Sequence, residues 1–224
     1  MTTGQNSRSS RTKVPSATDH QEIEWQFDVG ELESIEGWLD QHNAGSSGLV
    51  VAPESTVEIT DTYYDTDDWR FYRAGYALRV RSTDGEVEAT MKSLTPAEGS
   101  LRRRREISEP LSDDKLATLR EAGGPVGGGS RTLVGGRELR PLFTLETRRQ
   151  RFALLLEGST DSSQEDVRIG EISLDTSEIP LGEEKVSLTR VEVGAGMAPT
   201  PDLKKFEKVM ESQSGANIPN EGTR

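Results

Sequence analysis

The stretch that decides the fold of this chain is Tyr63-Tyr-Asp-Thr-Asp-Asp-Trp-Arg-Phe-Tyr-Arg-Ala-Gly-Tyr-Ala-Leu-Arg-Val-Arg81. Its second half predicts a strand over residues 76–82, in which Arg79 and Arg81 alternate with apolar residues. Successive side chains of a strand point to opposite faces, so the two arginines share one face. Guanidinium groups are well suited to binding phosphate oxygens, because they donate two parallel hydrogen bonds. The stretch therefore suggests an anion-binding face on a strand.

The same pattern recurs on later segments that also predict strands. Lys92, the pair Arg103 and Arg105, and the pair Arg149 and Arg151 each lie on one face of such a segment. One strand of this kind is typical of a solvated surface, whereas four in one chain are better explained by a shared anion. If the sheet closes, one face of every strand meets in the interior, and a charged lumen must hold ions or water. The pattern favours a polar tunnel over a packed interior.

The first predicted strand adds carboxylates to this set. Glu22, Glu24 and Gln26 share one face of residues 22–29, and apolar side chains occupy the other face. Taken alone, this strand is more typical of a solvated sheet edge. Carboxylates beside a phosphate site, however, usually hold a divalent cation. Together with the basic strands, the pattern suggests a compact polyphosphate held by a metal and basic side chains.

Composition narrows the class of protein. A chain of 224 residues with 32% hydrophobic residues suits one domain with polar tails. The absence of cysteine excludes disulfides, thiolate catalysis and cysteine zinc sites. The formal charge of −12 argues against binding to duplex nucleic acid. The polar N-terminus is not a secretory signal, and the longest apolar run, residues 152–156, is too short to span a bilayer. We therefore expect a cytoplasmic protein without a membrane partner.

Periodicity and turn residues predict a mainly β (α+β) protein. Asp84-Gly85, between two alternating runs, predicts a hairpin. The glycine-rich residues 123–136 follow a helix rather than a strand and predict a flexible surface loop, and residues 43–56 predict another loop. Many short strands with few helices predict a closed antiparallel barrel or a sandwich. The predicted strands span residues 22–29, 57–65, 76–82, 86–93, 101–109, 143–157, 167–175 and 185–193, and the predicted helices span residues 31–42, 112–122 and 203–210.

The opening stretch, residues 63–81, resembles the signature region of the CYTH family, the triphosphate tunnel metalloenzymes. Glu22-Ile-Glu-Trp-Gln26 is similar to the family's E-x-E-x-K opening. The resemblance extends over about residues 22–210. Further matching pieces, in the family's order, are Thr90-Met-Lys92, Arg104-Arg-Glu-Ile-Ser-Glu-Pro-Leu111, Thr147 to Phe152 and Ile172-Ser-Leu-Asp175.

The resemblance implies a closed eight-stranded antiparallel β barrel, or tunnel, with a few peripheral helices. This domain would occupy residues 20–212, between a disordered tail (1–19) and a linker or tail (213–224). The tunnel would bind inorganic triphosphate or polyphosphate together with Mg²⁺ or Mn²⁺. The implied metal ligands are Glu22, Glu24 and Glu192, the implied catalytic residues are Glu22, Glu24 and Asp175, and the implied phosphate ligands are Arg79, Arg81, Lys92, Arg103, Arg105, Arg149 and Arg151.

Two departures from the family pattern bear on whether the protein hydrolyses triphosphate or only binds it. Gln26 stands where the family has lysine, and Leu188 and Arg190 stand where the family has glutamates, which leaves Glu192. Arginine repels a metal ion but can bind phosphate directly. We therefore favour triphosphate or polyphosphate binding with impaired metal-dependent triphosphatase activity. The alternative is an active inorganic triphosphatase that uses Mg²⁺ or Mn²⁺.

The C-terminal residues carry a separate resemblance. Residues 214–224 look like the linker that joins CYTH domains to a CHAD domain, a helical module associated with polyphosphate. The expectation is that the chain is the CYTH part of a CYTH-CHAD protein.

Overall fold

The structure is a computed structural model that describes residues 16–42, 49–156, 166–195 and Lys208. Strands dominate these residues, as the sequence predicts, and short helices connect some of them. The elements, in chain order, are β1 (Thr18–Asp28), α1 (Glu33–His42), β2 (Leu49–Thr66), α2 (Arg70–Arg73), β3 (Tyr76–Thr83), β4 (Glu86–Ser93), β5 (Leu101–Leu111), α3 (Leu116–Glu121), α4 (Pro125–Val134), β6 (Leu139–Leu156), β7 (Val167–Leu181) and β8 (Glu184–Ala195).

The eight strands form one closed barrel in the order β1-β5-β4-β3-β2-β6-β7-β8, and β8 pairs with β1 to close it. Every pairing is antiparallel. The predicted fold class is therefore confirmed. The predicted hairpin between β3 and β4 is also present: Asp84 and Gly85 both have positive φ, 51° and 82°, as a two-residue turn of this kind requires.

The apolar cores lie outside the barrel, beneath the helices. In one core, Trp25 and Phe27 of β1 pack with Ile35 and Leu39 of α1. In the other, Leu78 of β3 packs with side chains of α2, α3 and α4, namely Phe71, Leu119 and Val126. Because side chains alternate along a strand, packing the apolar residues outward turns the polar residues of the same strands into the lumen.

The signature stretch folds around one buried carboxylate. Asp65, at the end of β2, accepts hydrogen bonds from the backbone N–H groups of Phe71 (3.0 Å) and Tyr72 (3.0 Å) in α2. Free N–H groups at the start of a helix need such acceptors. This contact fixes the short helix between β2 and β3, and so fixes the start of the strand that carries the two arginines.

Three local predictions differ from the structure. Residues 125–134 of the predicted glycine-rich loop form helix α4, because Pro125 suits a first helical position and buried Glu109 accepts the N–H groups of Val126 and Gly127. Gly127 is required there, since a Cβ would lie 2.1 Å from the backbone oxygen of Ala122. Residues 49–56 of the other predicted loop belong to β2, and the helix predicted from residue 112 begins at Leu116.

The remaining predictions concern the ends of the chain. β1 begins at Thr18, so the last two residues of the predicted disordered tail are in a strand. Of the predicted helix over residues 203–210, only Lys208 is described, and it is helical. The rest of that helix, most of the N-terminal tail and the predicted linker lie outside the described residues. No helix in the described ranges is long and apolar enough to cross a membrane.

Candidate functional site

The lumen contains a charged cavity of about 200 Å³. All eight strands contribute side chains to it, including both arginines of β3 from the signature stretch. A wider cavity of about 470 Å³ adjoins it at one mouth and shares Glu22, Arg149 and Glu192 with it. The basic side chains that line the inner cavity are Arg79, Arg81, Lys92, Arg104, Arg149 and Arg190, and the acidic ones are Glu22, Asp61, Glu106, Asp175 and Glu192.

Asp61 holds the two signature arginines on the β2–β3 wall. Arg81 donates from Nε and Nη2 to the two oxygens of Asp61, at 2.8 and 2.7 Å, and Nη1 of Arg79 lies 3.6 Å from Asp61 Oδ2. The Asp61 side chain is buried. Burial by itself raises the pKa of Asp61, but the hydrogen bond from Arg81 and the charge of Arg79 outweigh it and lower that pKa. Asp61 therefore stays ionised and keeps both guanidinium groups at the lumen.

Lys92 and Arg104 bind carboxylates across the next wall. Nζ of Lys92 lies 2.6 Å from Glu22 Oε2 and 3.1 Å from Glu106 Oε2. Arg104 contacts Glu24 and lies 3.6 Å from Glu22 Oε2. Burial raises the pKa of Glu106, but the charge of Lys92 outweighs burial and lowers it. Both candidate metal ligands on β1 thus already face basic side chains.

Arg149 joins the remaining two carboxylates of the predicted site. It donates to both oxygens of Asp175, at 2.8 and 2.6 Å, and its Nη2 donates to Glu192 Oε2 at 2.7 Å. Burial raises the pKa of Asp175, an effect that the contact with Arg149 reduces. Burial also acts to raise the pKa of Glu192, but the charges of Arg149 and Lys92 outweigh it and lower that pKa.

Gln26 lies between two of the predicted metal ligands. Its Nε2 donates to Oε1 of Glu24 and to Oε1 of Glu192, both at 2.8 Å. An amide nitrogen carries two hydrogens, so Gln26 can satisfy both contacts at once. Burial, and next the negative charge of Glu192, raise the pKa of Glu24 to about 7. A neutral amide bridges the two acids but, unlike a lysine, adds no positive charge to those of Arg104 and Arg149.

Arg190 lines the cavity from β8. In the strand register it pairs with Asp175 on one side and with Asp28 on the other. Its Nε donates to Asp28 Oδ1 at 2.9 Å, and the Asp28 side chain is 67% exposed. Arg190, one of the residues that depart from the family pattern, therefore faces the lumen.

Two of the predicted phosphate ligands lie on the wrong side of the barrel. Arg103 and Arg105 are exposed on the outer face of β5, where Arg105 pairs with Asp19. The expectation that they line the lumen was wrong, because their strand turns its even-numbered residues inward.

Arg151 lies at the rim, 40% exposed, where it binds Glu171 through two hydrogen bonds of 3.0 and 2.6 Å. The other predicted site residues line the lumen or its mouth, namely Glu22, Glu24, Arg79, Arg81, Lys92, Arg149, Asp175 and Glu192.

The sequence reasoning missed Arg104, Asp61 and Glu106 as lumen residues. A signal for Arg104 was available in β5, where Leu101, Ile107 and Leu111 are odd-numbered and pack against the outer cores. Since the lumen is polar, the even-numbered face had to be the inner one. Asp61 and Glu106 had no comparable signal, because acidic residues are common on solvated strand faces.

Buried donors without acceptors also mark the lumen. Among the described residues, the Nε groups of Arg79, Arg102 and Arg104 are buried and have no hydrogen-bond partner, and Arg79 and Arg104 line the cavity. The buried acceptors Glu22 Oε2, Thr83 Oγ1 and Glu106 Oε2 also lack a hydrogen bond. Buried N–H groups in proteins almost always have an acceptor, so exceptions need an explanation. An anion or water inside the lumen would supply the missing acceptors.

A closed eight-stranded antiparallel barrel with a charged lumen and external apolar cores defines the class of tunnel-fold proteins. The family model described as the CYTH domain matches residues 20–220, so the chain belongs to the CYTH domain family. This family is in general metal-dependent.

Solved structures share the fold at low sequence identity. A proposed adenylate cyclase from Bacillus halodurans has a TM-score of 0.57 and 20% identity, over 92% of this chain and 96% of that one. A proposed adenylyl cyclase from Hippeastrum, described as having a dominant triphosphatase activity, has a TM-score of 0.56 and 14% identity, over 91% and 92%. The protein PH1819 from Pyrococcus horikoshii has a TM-score of 0.50 and 16% identity, over 88% and 92%.

The carboxylates of this lumen do not fit a metal held by the protein alone. Carboxylates are the ligands that Mg²⁺ and Mn²⁺ prefer, and Glu22, Glu24 and Glu192 face one lumen. However, N–H groups of Gln26 and Arg149 point at oxygens of Glu24 and Glu192, and an N–H donor competes with a cation for the same lone pairs. Glu22 lies 2.6 Å from the ammonium group of Lys92, whose positive charge repels a cation. Within the described ranges, no three acidic or histidine side chains are placed to hold a metal ion together.

Proposed function

We propose that this protein binds inorganic triphosphate, or a segment of longer polyphosphate, in the barrel lumen, and that it hydrolyses triphosphate slowly or not at all. The carrying observation is the ring of six basic side chains around one cavity of about 200 Å³. Arg79 and Arg104 each add a buried N–H donor that has no acceptor among the described residues. Phosphate oxygens are strong acceptors for such charged donors.

The distribution of these basic side chains favours a linear ligand over a single phosphate. Arg79, Arg81 and Lys92 lie on the adjacent strands β3 and β4, whereas Arg149 and Arg190 lie on β6 and β8. A chain of several phosphates can contact both groups at once, and orthophosphate offers only one centre. We therefore expect affinity to increase with the number of linked phosphates.

Slow hydrolysis follows from the partners of the carboxylates. Metal-assisted phosphoryl transfer needs carboxylates that are free to hold the metal or to orient water. Here Gln26 binds Glu24 and Glu192, and Arg149 binds Glu192 and Asp175. A binding module of this kind could present polyphosphate to a linked CHAD domain, the expectation raised by residues 214–224.

The alternative function is a Mg²⁺- or Mn²⁺-dependent triphosphatase. Two observations favour it. Glu22, Glu24 and Glu192 line one mouth of the lumen together. The Hippeastrum protein, which shares the fold, is described as having a dominant triphosphatase activity.

Calorimetric titration with triphosphate, ATP and orthophosphate tests the binding proposal. We expect triphosphate to bind at least tenfold more tightly than orthophosphate. Arg81→Glu and Lys92→Glu should each abolish binding and retain the circular dichroism spectrum, whereas the exposed Arg140→Glu should bind normally. Equal or negligible affinity for all three ligands would overturn the proposal.

Phosphate release from triphosphate separates the two functions. The measurement compares the native protein with a Glu22→Gln, Glu24→Gln double variant in Mg²⁺ or Mn²⁺. Turnover of about 1 s⁻¹ or faster, within the usual range for enzymes and lost in the variant, would establish the triphosphatase. Release no faster than in the variant, together with measurable binding, would establish the binding module.

A further inference from the structure

The charges that line the lumen indicate whether triphosphate binds as the free anion or as a complex with a divalent cation. Six basic and five acidic side chains line the inner cavity. The acids already have basic partners in the protein: Asp61 pairs with Arg81, and Asp175 and Glu192 share Arg149. A divalent cation would add positive charge to a lumen whose carboxylates have partners.

Arg190 can turn to a ligand at lower cost than Arg149 can. Its Nε donates a hydrogen bond to the exposed carboxylate of Asp28, at 2.9 Å. Exposed ion pairs contribute little to stability, so exchanging this partner for a phosphate costs little. Arg149, by contrast, donates to two largely buried acids, Asp175 and Glu192. Releasing a buried carboxylate from its partner is expensive.

We propose that the lumen takes triphosphate as the free polyanion, and that Arg190 supplies the positive charge that a divalent cation would otherwise supply. This inference rests on the proposed function. Six basic and five acidic side chains line the cavity, and a glutamate at position 190 would change these numbers to five basic and six acidic. The change is two units of charge, the charge of one Mg²⁺. A guanidinium group delivers it with a fixed position and direct hydrogen bonds to phosphate.

The inference predicts that Mg²⁺ does not strengthen binding to the native protein. Triphosphate that carries Mg²⁺ has less negative charge to offer the arginines. The bound Mg²⁺ would also face the guanidinium of Arg190 across the cavity. Free triphosphate should therefore bind at least as tightly as its magnesium complex.

Calorimetry with sodium triphosphate, in EDTA and then in excess Mg²⁺, tests the proposal on the native protein. We expect binding in EDTA to equal or exceed that in Mg²⁺. In Arg190→Glu, affinity in EDTA should fall at least tenfold and Mg²⁺ should now strengthen binding. The matched control is Arg148→Glu, an exposed arginine of β6 with the same change in net charge, which should alter affinity less than twofold.

Each outcome decides the question. Native binding that is more than twofold weaker in EDTA than in Mg²⁺ would overturn the inference while leaving triphosphate binding in place. Arg190→Glu that behaves like Arg148→Glu would also overturn it. If the native protein binds triphosphate in neither buffer, the proposed function fails. If Arg190→Glu fails to fold, Arg190→Gln provides the test. We expect its affinity for triphosphate in EDTA to fall severalfold. An unchanged affinity would contradict the role of Arg190.

Discussion

Gln26 of β1 and Glu192 of β8 occupy directly paired positions, and the side-chain amide of Gln26 donates to Glu192 at 2.8 Å. The same amide nitrogen donates to Glu24 at 2.8 Å. One neutral side chain thus bridges two acids that the family resemblance assigns to a metal. The contact gives a structural reason for separating phosphate binding from metal-dependent hydrolysis.

The first prediction concerns Gln26→Ala, which removes the donor shared by Glu24 and Glu192. Oε1 of Glu192 is freed, and Oε1 of Glu24 keeps its contact with Arg104. Two close carboxylates without a bridging donor should bind Mn²⁺ more tightly than in the native protein. Since a hydrogen bond to a charged group is worth about 1.5–3 kcal/mol, we expect a gain of about tenfold or more in Mn²⁺ affinity. Electron paramagnetic resonance of free Mn²⁺ measures it. Gln150→Ala is the matched control, because Gln150 donates to Glu36 outside the lumen. An equal response of both variants would contradict the account.

The second prediction compares two consecutive arginines. Arg104 faces the lumen and contacts Glu24, whereas Arg105 faces outward and pairs with Asp19. Arg104→Gln should weaken triphosphate binding by about tenfold or more, as expected for the loss of a charged hydrogen bond. Arg105→Gln should leave the affinity within twofold of the native value. The reverse order in a calorimetric titration would mean that the inner face of β5 has been assigned wrongly.

The third prediction concerns the pH dependence of stability at Asp61. Because the folded state lowers the pKa of Asp61, its ion pairs stabilise the protein above the pKa of an unfolded aspartate, about 3.9, and this stability is lost as pH falls through the lower folded value. Asp61→Asn leaves Arg79 and Arg81 without their buried partner, so we expect a loss of about 3–5 kcal/mol at pH 7.

Urea unfolding from pH 7 to pH 2.5 measures this effect. The difference between the native protein and Asp61→Asn should narrow below about pH 4, where aspartate titrates. Asp84→Asn, in the turn between β3 and β4, is a suitable control and should follow the native curve. A difference that stays constant down to pH 2.5 would contradict a role for the charge of Asp61.

Alternation along the strands made much of this site predictable. Arg79 and Arg81 lie between Leu78 and Val80, so the apolar pair identifies the outer face and the arginines must face inward. The same reasoning places Glu22 and Glu24 inside, opposite Trp25. It failed for Arg103 because residues 102–105 are all arginine, so no alternation between polar and apolar residues is visible there. The apolar residues of the outer face repeat only from Ile107 onward.

Other features could not be predicted from the sequence, because they depend on contacts between residues that are far apart in the chain. No local pattern shows that Arg149 bridges Asp175 and Glu192, because β6, β7 and β8 meet only after the barrel forms. The glycine-rich segment became α4 for a similar reason, since its helix start depends on Glu109 from β5. Local propensity alone favours a loop for such a sequence.

The most direct test of the central claim is a crystal structure of the protein with triphosphate, grown in the presence of Mg²⁺. The account predicts phosphate oxygens inside the lumen, within hydrogen-bond distance of Arg79, Arg81, Arg104 and Arg190, and Gln26 still bonded to Glu24 and Glu192. Triphosphate bound on the outer face at Arg103 and Arg105 would contradict the claim that the lumen is the site. Mg²⁺ held by Glu22, Glu24 and Glu192 would contradict the claim that these acids are unavailable to a metal.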